Sequence, residues 1–175
     1  MPPVIRPLLL VLACAAAPGA AADDCTLVFG QGRGVAPGDA EAARQWDGVN
    51  LAFNQRVAQA LGERGETVLP LVARASDEPA TAVRAVLERA AAANCGRILE
   101  TTVFADPAAG TLVARLREYP LAPDATGALR IGAPRLTVER QFELAPSTLE
   151  RVRPAVLGAV MAAELSERRA AAAGR

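Results

Sequence analysis

Four glutamates, Glu100, Glu118, Glu139 and Glu143, fall on or near stretches that alternate apolar and polar residues. A sheet could bring two of them together, and two carboxylates in unequal surroundings are what acid–base hydrolysis of a glycosidic bond needs. The plainer reading is a solvated sheet face whose glutamates pair across strands with Arg115, Arg117 and Arg140. Arg115 and Arg117 share one strand face with Tyr119, while Thr137, Glu139, Gln141 and Glu143 share a face of another. If those faces meet, Arg115, Arg117, Tyr119, Glu139 and Gln141 form a polar, hydrogen-bonding wall with an aromatic at its end. Arg140 falls among the apolar set, so it must lie near an edge or find a partner.

Other chemistries find less material. The 175 residues include no His, which removes the usual general base and the commonest metal ligand. Ser76, Ser147 and Ser166 sit where helix-cap or surface serines belong. Gly30, Gly32 and Gly34 follow a strand like the start of a dinucleotide fingerprint, but Val35 takes the third glycine's place and Pro37-Gly38 intervenes before any helix. A connecting loop is the expectation there, and no cofactor or metal is expected.

The amino terminus directs the chain out of the cytoplasm. Arg6 precedes an apolar run from Leu8 to Ala17, Pro18-Gly19 breaks it, and Ala20-Ala21-Ala22 offers a signal-peptidase site. Residues 1–22 are therefore expected to be removed. Val11-Leu12-Ala13-Cys14 also approaches a lipobox, and lipidation of Cys14 would tether the domain to a membrane. A periplasmic protein and an outer-membrane lipoprotein are the two localisations this leaves. Either way the mature chain keeps Cys25 and Cys95, and an oxidising compartment makes a structural disulfide the default for two such thiols.

About 150 residues remain after the leader, one domain with a proper core. Basic and acidic residues number 19 each, every base being Arg, and loss of Arg6 leaves the mature chain one charge negative. A nucleic-acid binder would show a basic excess on one face. No later apolar run approaches the roughly 20 residues of a membrane span.

The elements that must position the polar wall follow from periodicity. Residues 25–29 read as a buried strand. A helix from about 39 to 64 carries Trp46, Val49, Phe53, Val57, Ala60 and Leu61 on one stripe, which places Trp46 in the core. Residues 67–72 form a strand whose Pro70 puts it at an edge or bulge. A second helix starts near Pro79, has Val83, Val86, Leu87 and Ala90 inside, and ends at Asn94 in a left-handed cap. Strands at 97–105 and 111–119 make a hairpin, 120–127 is a loop, and Leu136, Val138, Phe142 and Leu144 mark a half-buried strand. Ser147-Thr148-Leu149-Glu150 reads as a capping box opening the last helix, with a kink or true start at Pro154. Residues 23–167 form the domain and 168–175 a disordered tail. The expected fold is α+β (or α/β), in the order β-α-β-α-β-β-β-α, with a mixed sheet of about five strands and two to three helices on one face.

The helix ending in Ala60-Leu61-Gly62-Glu63-Arg64-Gly65 before a strand at Val68-Leu69, and a second helix running into Ala93-Asn94-Cys95-Gly96-Arg97-Ile98-Leu99-Glu100-Thr101, form a familiar arrangement. From Cys25 to Tyr119 the chain resembles the domain shared by TolB amino-terminal regions, penicillin-binding-protein activator lipoproteins and curli-secretion lipoproteins. It departs from them at Cys95-Gly96-Arg97 and at Glu100-Thr101-Thr102, where small residues are usual. The resemblance implies a non-enzymatic envelope protein that binds or stabilises another envelope component, and it assigns no site residue. A small-ligand-binding domain, using a cleft near residues 30–38 and 120–127, is the alternative, and a carboxylate-pair hydrolase the third.

Overall fold

The computed structural model describes residues 25–32, 38–145 and 147–174. The leader at 1–22 with Cys14, and most of the glycine loop, lie outside the described residues.

One mixed sheet of six strands carries the molecule. In chain order the elements are β1 (Cys25–Gln31), α1 (Ala40–Gly62), β2 (Thr67–Ala73), α2 (Pro79–Ala92), β3 (Arg97–Asp106), β4 (Thr111–Pro123), β5 (Leu129–Ile131), β6 (Leu136–Glu143), α3 (Thr148–Val152) and α4 (Pro154–Ala173). Strand order is β2-β1-β3-β4-β5, with β6 also on β4. β1 runs parallel to both neighbours, and β4 is antiparallel to β3, β5 and β6. β1 is the apolar run of a strand buried on both faces. β2 is an edge strand, as its exposed Pro70 requires.

The α+β architecture is the expected one, but the helices divide between the faces. β1 to β2 steps one way and β2 to β3 steps back across β1, so two right-handed crossovers place α1 and α2 on opposite sides. Phe53, Val57 and Leu61 of α1, with Met161 and Leu165 of α4, pack on Val28, Leu99, Val103, Leu116 and Val138. Across the sheet, Val86 and Ala90 of α2 cover Leu27 and Ile98. The inner stripe of α2 is Ala82, Val86 and Ala90, with Val83 45% exposed rather than buried. Trp46 is half-buried against the main core. Gly158 lets α4 meet α1 closely, since a Cβ there would lie 3.0 Å from the Phe53 carbonyl oxygen.

Two buried asparagines complete the sheet. Pairing of β1 with β3 stops at Gly30 and Thr101, which leaves the backbone of Val103 without a strand on its β1 side. The Asn50 carboxamide takes that place, accepting from Val103 N–H at 2.8 Å and donating to Val103 C=O at 2.9 Å. Asn54 donates to Val28 O and to Thr101 Oγ1, both at 3.0 Å. An unpaired buried amide costs about 1–3 kcal/mol, so both positions are structural.

Three expectations need correction, while the start expected at Pro154 is found. Residues 120–123 continue β4 rather than forming a loop, and β5 pairs with them across a turn that Asp124 ties by accepting from Thr126 and Ala128. The prolines at 120 and 123 break the strand pattern in sequence, yet the carbonyl of Pro120 still accepts from Gly132 N–H at 2.9 Å. Ser147 makes no capping bond; Thr148 Oγ1 accepts from Ala145 N–H and donates to Glu143 O, each at 2.8 Å. The last helix truly starts at Pro154, after Arg153 in a left-handed conformation at φ 46°. Residues 168–173 are not a disordered tail but the end of α4, where Arg169 reaches Glu66 and Glu118.

Candidate binding face

β3, β4 and β6 lie side by side, and their odd and even positions separate onto two surfaces. The helix-covered surface takes Leu112, Ala114, Leu116 and Glu118 from β4. The other takes Arg115, Arg117 and Tyr119. α2 covers that second surface over β1 and the start of β3 and reaches toward Leu121 of β4 and β5. Beyond Glu100, no helix of the described residues packs on it.

Register brings the candidate residues together. Arg115 faces Glu139 and Arg117 faces Thr137 on one side, while Glu100 faces Arg117 and Thr102 faces Arg115 on the other. The carbonyls of Thr137 and Glu139 point away from β4, where Arg168 and Arg140 donate to them at 2.8 and 3.1 Å. Arg115 and Glu139 are therefore a non-hydrogen-bonded pair, the kind whose side chains approach most closely. Their ion pair forms accordingly, with the Arg115 guanidinium 5.4 Å from the centroid of the Phe104 ring. Gln141 donates to Glu139 at 2.7 Å. Hydrogen bonds from Gln141 and then Arg115 hold the Glu139 carboxyl below its usual value of 4.5. Tyr119 donates to Glu100 at 2.9 Å. Burial, then the Glu100 charge, pushes its hydroxyl above its usual 10.0. All five residues expected on the wall share this face, and Glu100 and Phe104 join them.

The remaining carboxylates go elsewhere. Glu118 lies on the helix-covered side, 8% exposed, and accepts from Arg169 Nε at 2.6 Å. Glu143 is exposed at the end of β6. Glu100 and Glu139 lie two strands and two residues apart, a backbone separation of roughly 12 Å from standard sheet spacings. Arg115 and Arg117 stand between them. Paired hydrolytic carboxylates in retaining and inverting glycosidases stand roughly 5–9.5 Å apart. Arg140 is at the edge and also paired, with Glu164 of α4. Ser166 Oγ donates to the Ala162 carbonyl within its own helix at 3.2 Å.

Gly30 and Gly32 serve packing. A Cβ on Gly30 would meet Asn54 and Thr101 at 3.1 Å, and one on Gly32 would meet Ala75 at 3.0 Å. Asp39 caps α1 by accepting from Ala42 N–H at 2.9 Å. Cys25 and Cys95 are joined, as expected, which staples the start of β1 to the turn before β3, and those strands are parallel neighbours. Among the described residues no group of His, Cys, Asp and Glu could hold a metal ion, and no helix is long and apolar enough to cross a membrane.

Sequence reasoning missed Asn50, Asn54 and Arg169, because a polar residue on an otherwise amphipathic helix reads as solvent-facing. The signal for the asparagines was their i, i+4 spacing between Trp46 and Ala58, alongside the apolar stripe.

No family model matches the chain, and no curated protein matches it. Among solved structures it is similar to PelC dodecamers from Paraburkholderia phytofirmans. A point variant superposes with a TM-score of 0.39 at 17% identity, over 83% of this chain and 91% of that one. A second crystal form gives 0.34 at 17%, over 82% and 89%. A likeness this loose carries no argument about function.

Proposed function

We propose that this chain is an exported, non-catalytic domain that docks on another protein of the cell envelope through the open face of β3, β4 and β6. The observation that carries this reading is the row Arg115, Arg117 and Tyr119, fixed by neighbours yet uncovered by any described helix. Arg and Tyr are the side chains in which docking energy concentrates. Their preorganisation by Glu139, Phe104 and Glu100 lowers the ordering cost of association. The leader motif and the Cys25–Cys95 bridge support an oxidising compartment. The resemblance to TolB amino-terminal and related lipoprotein domains supports a protein partner. A catalytic role has less support, since Glu118 is committed to Arg169 and Glu139 is held ionised beside Arg115, which suits neither to deliver a proton.

Photo-crosslinking from position 137, the exposed Thr137 opposite Arg117 on the same face, in intact envelopes tests the proposal. One protein should be captured in stoichiometric amount, and Arg115→Ala or Tyr119→Ala should cut capture about tenfold or more while the fold persists. Glu139→Gln should matter less. Capture indifferent to Arg115 and Tyr119 would overturn the docking face. Loss of function from Glu139→Gln alone, with binding intact, would overturn the non-catalytic reading.

A further inference from the structure

Alternate residues of β4 lead from the open face into a cavity. Arg115, Arg117, Tyr119 and Leu121 share one side of the strand, and Leu121 lies against the cluster under α2. There α2 and β5 flank a space of about 270 Å³ that Tyr119 also lines. Phe29 and Ile98 meet it from the sheet, Val83 and Val86 from α2, and Ile131 from β5. Val83 is 45% and Ile131 38% exposed, so two branched apolar side chains stand in water at one opening. Covering them is favourable in proportion to the apolar area removed from water.

The polar groups of the lining are engaged with the protein itself. The Tyr119 hydroxyl donates to Glu100, and Glu100 holds a further partner. Gln31 Nε2 donates to the carbonyls of Arg74 and Asp77 at 3.3 and 3.4 Å, in the connection between β2 and α2. A polar group entering the cavity would give up water for groups already bonded elsewhere, which is costly. An apolar group gives up nothing. The volume falls just below the roughly 300–1,000 Å³ of sites for drug-sized molecules, room for one large side chain.

We propose that the protein docked on the open face anchors one large apolar side chain, branched or aromatic, in this cavity. The inference rests on the docking reading, because the unbroken run from Arg115 to Leu121 is what assigns the cavity to the docked protein. Anchors of this kind sit in desolvated pockets beside the Arg and Tyr side chains that carry most of the docking energy.

Capture from position 137 in intact envelopes reads docking, and substitutions at the cavity read the anchor. Val83→Trp fills the opening from α2 and should cut capture about tenfold or more. Ile131→Trp fills it from β5 and replaces that variant if it does not fold. Arg84→Trp puts equal bulk on an exposed position of α2 outside the lining and should leave capture unchanged. Val83→Asp should cut capture too, by setting a charge against an apolar anchor. A photoreactive leucine analogue at position 131 should label the same protein that position 137 captures. All chains are compared at equal amounts of folded, disulfide-bonded protein. Capture that both tryptophans leave intact, while Arg115→Ala lowers it, overturns the anchor and leaves the docking face standing. Equal losses from Arg84→Trp and Val83→Trp, or labelling of a different protein from position 131, also overturn it. Capture raised by Val83→Asp overturns the apolar class in favour of a cationic anchor. An unsubstituted cavity with no capture from position 137 overturns the docking reading, and the anchor falls with it.

Discussion

Strand β4 carries two arginine–glutamate clusters on its opposite faces, and they do different work. On the helix side, Glu118 meets Arg169 of α4, which also holds Glu66; the Arg169 and Glu118 side chains are only 14% and 10% exposed. On the open side, Arg115 meets Glu139 at 19% and 29% exposure, with no helix of the described residues packed above. Both clusters are ion pairs on one strand. The first is sealed under a helix, so removing a partner strands a charge in a dry place. The second remains within reach of water, which replaces a lost partner cheaply and leaves the survivor available to another molecule. Cover, rather than residue type, separates an internal brace from a surface for recognition.

The largest expected effect does not discriminate between the faces and sets the scale for those that do. Cys25 and Cys95 lie 70 residues apart, and in the chain-entropy model such a bridge contributes about 4 kcal/mol. The double Ser variant should show a matching fall in denaturant-derived stability, with partner capture retained in the folded fraction.

Next comes the brace. Arg169→Ala should lower stability by about 3 kcal/mol, the low end for breaking a buried pair because Glu66 keeps some contact with water. Arg169→Ala with Glu118→Met should recover much of that loss. A recovery no larger than that of Glu118→Met alone would show that the two residues are not coupled. Third, Arg115→Ala should cost at most about 1 kcal/mol of stability, against the tenfold loss of capture expected above. Equal stability costs at Arg115 and Arg169 would erase the contrast.

The smallest effect is in pH dependence. Glu139 has a folded-state pKa below its usual 4.5, so its contribution to stability is complete above that value. It is lost as pH falls through the depressed native value. Urea titrations between pH 6 and 3, about the range in which carboxylates titrate, should show a slope that Glu139→Gln makes shallower. Unchanged slopes would mean that Gln141 and Arg115 do not favour the ionised carboxylate.

Alternation was enough to place Arg115, Arg117 and Tyr119 on one face and Glu139 and Gln141 on another, because strand periodicity is local. Whether the two faces met depended on register, which the chain settles only when Leu116 and Val138 find the same core. Helix sidedness was misjudged because it depends on strand order, and nothing within β1, β2 or β3 announces that β3 returns past β1. The end of α4 looked frayed because Arg168 and Arg169 stand among alanines with no apolar residue to anchor them. Their anchors are Thr137, Glu66 and Glu118, at least 31 positions away. Val83 was misassigned because the buried stripe of α2 is Ala82, Val86 and Ala90, and a valine one residue off that stripe fits the same helical period.

The arginines along β6 also limit how this protein can fail. An open sheet edge is a template on which another copy can add a strand, and such addition, repeated, grows a fibril. Arg168 and Arg140 occupy two outward carbonyls of β6, and Pro70 deletes one N–H from the row on β2 at the far edge. The β6 and β2 edges are thereby spoiled as templates, and β5, the remaining outer strand, is only three residues long. With those two edges blocked, copies of the chain are hindered from zipping together side by side through β2 or β6.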